Sequence, residues 1–77
     1  MVGKIIMRKI ELKPRDDGSS DILIDGENHQ IAWTKELTYD FKHNHYENLE
    51  DEVLNALMGH NLTLEEAQEV IRLGKTK

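Results

Sequence analysis

The sequence predicts an α+β domain in which a three-stranded antiparallel β-meander is followed by two C-terminal helices packed on one sheet face. Three observations carry that prediction. Apolar residues alternate with polar ones through the first half of the chain, Asp25-Gly26 separates two aliphatic runs, and apolar spacing changes to three and four residues from Tyr46 onward. Strands before helices, with no αβ alternation, favour helices segregated to one side of an antiparallel sheet. At 77 residues, one domain spanning 1–77 is expected, with 38% hydrophobic and 32% charged residues in the soluble globular range.

The first strand is expected at about 3–13. The run GKIIMRKIELK is rich in long aliphatic side chains, and Pro14 removes a backbone donor at its end. By the period of two, Ile6, Ile10 and Leu12 share one face, while Ile5 and Met7 point to the other beside Lys9. PRDDGSS then reads as a loop. A second strand at about 20–25 ends at Asp25-Gly26, a pair suited to the positive φ angles of a tight hairpin. The third strand is expected at about 29–41, where Ile31, Trp33, Leu37, Tyr39 and Phe41 occupy odd positions and polar residues the even ones.

Helices are expected at about 46–59 and 63–74. Tyr46, Leu49, Val53, Leu54, Leu57 and Met58 make one stripe, with Asn44 or Asn48 as cap, acidic residues in the first turn and Gly59 at the stop. In the second, Thr63 and Glu66 form a capping box, Leu62 and Ala67 a hydrophobic staple, and Gly74 the end.

Composition and motifs exclude much chemistry. With no cysteine there is no disulfide, thiolate metal site or thiol nucleophile. The five glycines form neither a G-x-x-x-x-G-K nor a G-x-G-x-x-G loop, and Ser19 and Ser20 lie in a polar loop without a nucleophile elbow. No catalytic residue, cofactor or enzyme activity is therefore expected. His43-Asn44-His45 places two imidazoles on one side of an extended segment, but without a supporting ligand ladder it reads as a solvated turn rather than a metal site. A DNA-reading helix-turn-helix is disfavoured because Glu65, Glu66 and Glu69 would repel phosphate. Val2 to Leu12 is interrupted by charge, so neither a signal peptide nor a membrane span is expected, and a cytoplasmic location follows.

What remains is binding. A sheet covered by helices on one side leaves Ile5 and Met7 on the other, which predicts a non-enzymatic protein-interaction module that forms a homodimer. Trp33 reads first as core and second as an interface anchor. The alternative is an acidic inhibitor or regulator, of the kind mobile elements carry, opposing a basic partner through residues that include Glu50 and Glu66. A second alternative uses Lys9 and the other basic residues of the first strand to bind nucleic acid, although lysine on a strand also serves to prevent edge pairing.

Overall fold

In the computed structural model, residues 8–43 and 48–76 are described. They form β1 (Ile10–Pro14), β2 (Ser20–Ile24), β3 (Glu27–Trp33), α1 (Lys35–His43), α2 (Leu49–Met58) and α3 (Leu64–Lys75). The strands make one antiparallel sheet in the order β1-β2-β3. The α+β meander is as the sequence predicts, with one helix more among the described residues.

Local chemistry accounts for each joint. Ile24 pairs with Glu27, so Asp25 (φ 52°) and Gly26 (φ 81°) are the whole hairpin loop, both in the left-handed region that a mirror-image type I turn requires. Between β1 and β2, Arg15 N–H donates to Ser19 O at 2.8 Å, and the Asp17 carboxylate accepts from the Ser19 N–H and hydroxyl. Further along, Asp21 pairs with Ala32 and Leu23 with Asn28, so two residue steps on β2 face four on β3. The excess is taken up in a bulge where Gln30 adopts φ 64° and donates its N–H to Asn28 Oδ1.

The expected third strand breaks at Trp33. Residues 35–43 are helical, not extended, because Thr34 stops the strand and caps α1: its Oγ1 accepts from Leu37 N–H at 3.1 Å and its carbonyl from Thr38 N–H. Leu37 and Phe41 stand four apart and pack against the core on one helix face, whereas Tyr39, between them in the alternating pattern, is exposed. Trp33 rewards this turn of the chain. Its ring stacks on Phe41 with centroids 5.4 Å apart, and its Nε1 donates to Thr38 Oγ1.

α2 buries Leu49, Val53 and Leu57 in a single i, i+4, i+8 stripe; the expected start at Tyr46 and cap at Asn44 lie outside the described residues. Asn48 occupies the cap position without a side-chain hydrogen bond. Gly59 keeps right-handed helical geometry, and the left-handed residue of the reversal is Asn61 at φ 68°. α3 begins with the expected capping box but runs through Gly74, which is buried inside it. A Cβ on Gly74 would overlap the indole carbons of Trp33, so this glycine is a seat for the ring and not a helix stop.

The core lies between the helices and one sheet face. Ile22, Trp33, Ala67 and Val70 have no exposure, with Ile10, Ile24 and Ile31 below and Leu49, Val53 and Leu57 above. On the opposite face, Glu11 and Lys13 are exposed, and Asp21, Leu23 and Ala32 are half-buried. No helix of the described residues is long and apolar enough to cross a membrane.

Candidate interaction site

Two elements of β1 meet the requirements of an interaction site: a strand edge and an apolar groove beside it. Among the described residues, β1 has a strand neighbour on one side only. Lys9 O accepts from Asp25 N–H at 2.8 Å, and Arg15 N–H reaches Ser19 O, at the two ends of an uninterrupted register. Antiparallel pairing alternates, so the peptide groups of Lys9, Glu11, Lys13 and Arg15 face β2 and those of Ile10, Leu12 and Pro14 face away from it. Pro14, which has no N–H to offer, thus sits at an outward position where the ladder to β2 loses nothing. Below α3, a groove of about 380 Å³ is lined by Ile10, Glu11, Leu12, Pro14 and Leu73.

α3 seals this edge at one end. Arg8 N–H donates to Glu66 Oε2 at 3.0 Å, its Nε to the same oxygen at 2.8 Å and its Nη2 to Oε1 at 2.8 Å and to Asn61 O. The same carboxylate completes the capping box, with Thr63 N–H donating to Oε1 and Glu66 N–H to Thr63 Oγ1. Glu66 is only 1% exposed, and the Arg8 guanidinium, helped by these N–H donors, outweighs burial and holds its carboxyl down at about 2. The free edge therefore begins at Ile10.

Of the residues singled out from the sequence, Lys9 lies at the strand edge, 4.0 Å from Glu11. Trp33 is wholly buried against Gly74 and Phe41, and Glu66 is enclosed by Arg8 and Thr63. Glu50 is partly exposed and accepts from Lys75 Nζ at 2.8 Å. Ile5, Met7 and His45 lie outside the described residues. Among the described residues, the structure brings none of these into a shared cluster with another: Trp33 and Glu66 belong to the interior, Lys9 to the edge and Glu50 to the helix surface. The Arg8–Glu66 pair escaped sequence reasoning because only half of it, the capping box, is local; the arginine is 58 residues away.

A second groove of about 340 Å³ lies between β3, α1 and α2, lined by Ile31, Leu37, Leu49, Val53 and Leu57 with Asp40, Glu52 and His60. Among the described residues, no three His, Asp or Glu side chains converge as metal ligands. Ser19 donates its hydroxyl to the Asp17 carboxylate, which that bond holds below the ordinary carboxylate range and so makes a weaker base, and the Ser20 hydroxyl is buried without a hydrogen-bond partner. No protein-family model matches the chain, and no curated protein or solved structure is detectably similar to it.

Proposed function

We propose that this chain is a non-enzymatic interaction domain of the cytoplasm that acts by associating with a second copy of itself. The observation that carries this reading is the outer edge of β1, which places the peptide groups of Ile10, Leu12 and Pro14 away from β2 beside an apolar groove. An edge with unsatisfied backbone groups and apolar flanking surface is the feature by which sheets recruit another strand. The small core strengthens the case, since a 77-residue domain gains proportionately more than a large one from each apolar surface a partner covers.

The charged alternatives draw less support. Of the carboxylates an acidic regulator would use, Glu66 is held by Arg8, Glu50 by Lys75 and Glu69 by Arg72, which weakens the face it would present to a basic partner. Of the basic residues proposed for nucleic acid, Arg8 is engaged by Glu66 and Arg15 lies 3.7 Å from Asp21, which leaves Lys9 and Lys13 as a small exposed patch. Sedimentation velocity from low to high micromolar concentration tests the reading. A dimer is expected at the upper end; a monomer throughout would overturn it.

A further inference from the structure

We propose that the second copy joins by pairing β1 with β1 in one antiparallel register, centred on Leu12, so that two three-stranded sheets become one of six. This rests on the self-association read above, and adds which residues meet.

Only a few symmetric registers place outward peptide groups opposite each other, and the charges of β1 decide among them. Centring on Glu11 sets Glu11 against Glu11 and Lys9 against Lys13, like charges directly opposed. Centring on Lys13 sets Lys13 against itself, like charges again directly opposed. Centring on Ile10 needs the Arg8 N–H, which Glu66 already holds. The Leu12 register opposes no like charges within β1 and leaves the Arg8 N–H on Glu66; Lys9 and Arg15 face each other only beyond the strand ends, where Glu11 and Asp21 lie beside them. Leu12 exchanges two backbone bonds with its counterpart, and each Ile10 N–H meets a Pro14 carbonyl, while the Ile10 carbonyl faces a proline nitrogen that cannot donate, so each outer pair forms one bond of two. Glu11 then lies opposite Lys13 twice, in non-hydrogen-bonded pairs with Cα atoms about 4.5 Å apart, the spacing at which opposite charges interact best across strands.

The two faces of the strand agree with this arrangement. Glu11 and Lys13 are both exposed on the sheet face away from the helices, and the ion pair of Glu11 with Lys9, at 4.0 Å, is long and solvent-exposed. Leu12, half-buried on the helix side, would meet its counterpart at the symmetry axis beneath Leu73 and fill the groove that Ile10, Pro14 and Leu73 line. The axis is perpendicular to the sheet, so each copy uses the same patch, as a closed dimer requires.

Charge reversal and cross-linking of the full chain test the register. Glu11→Lys is expected to raise the dimer dissociation constant about tenfold by turning two attractive pairs into repulsive ones, and adding Lys13→Glu to it to restore association. Leu12→Cys is expected to form an intermolecular disulfide on mild oxidation, because directly opposed residues in such a pair lie about 5.5 Å apart and the protein has no other cysteine. Should Leu12→Cys fail to fold by circular dichroism, a mixture of Glu11→Cys and Lys13→Cys chains gives the same information, since those positions oppose each other. A dimer that ignores both charge variants and does not cross-link at these positions would overturn the register while leaving self-association intact. A protein that stays monomeric at every concentration would overturn both.

Discussion

At the scale of single residues, two glycines show why the same substitution has different causes of damage. Gly26 has nothing within 4 Å of where a Cβ would stand, so Gly26→Ala suffers only from its φ of 81° and is expected to lose about 1–2 kcal/mol. Gly74 has ordinary helical neighbours, and helix propensity alone would make Gly74→Ala stabilising by about 1 kcal/mol. The ring of Trp33 reverses that sign, because the new methyl group must displace a fully buried indole, and a loss of about 2–3 kcal/mol is expected. Thermal melts of both variants check the order, and a stabilised Gly74→Ala would refute the packing described for Trp33. Glu66 supplies the third test. Its carboxyl sits at about 2 in the folded chain against an ordinary 4.5, so its contribution is complete above pH 4.5 and is lost as pH falls towards 2. Urea unfolding at pH 7 and pH 3 should therefore show a steeper acid loss for the parent than for Glu66→Gln, in which Gln cannot titrate. Glu66→Ala, which also removes half of the capping box, is expected to lose about 2–3 kcal/mol at pH 7.

Among elements, the strands, the hairpin and the last two helices are legible in the sequence because their signals are local and agree with one another. Asp25-Gly26 sits between aliphatic runs, and Thr63 precedes Glu66 by the spacing of a capping box. α1 is not legible in the same way. In Leu37, Tyr39 and Phe41, a strand with period two and a helix with contacts at i and i+4 predict the same outer pair, and only the exposure of Tyr39 separates them. The deciding interactions are the Thr34 cap and the bond from Trp33 Nε1 to Thr38, neither visible until the chain has turned. Thr34→Ala is accordingly expected to cost about 1 kcal/mol, with amide exchange quickening in residues 37–41 more than in α3. Equal exchange across both helices would mean that the cap does not hold α1. The candidate site was legible only in part. The lysines of the expected first strand marked an edge, but which peptide groups face outwards depends on pairing with β2, and Arg8 with Glu66 is a contact across nearly the whole chain.

For the molecule as a whole, the distribution of apolar surface links stability to assembly. α2 and α3 pack on one another, and α3 also packs on β1, so the groove beside Leu12 lies where the strand, the helix and the free edge converge. Covering that groove with a second copy would bury Leu12 and Leu73 further without disturbing the core around Trp33. Folding and association would then be linked by mass action: above the dissociation constant, each tenfold rise in protein concentration adds about 1.4 kcal/mol per mole of dimer. For two copies of 77 residues this corresponds to a Tm higher by about 3–5 °C per tenfold. Scanning calorimetry of the parent at several concentrations should show that slope, while Glu11→Lys, exposed and far from the core, should reduce it by keeping the chain monomeric over much of the range. A flat Tm in the parent would separate the fold from any dimer, because an edge that contributed binding energy could not leave stability independent of concentration.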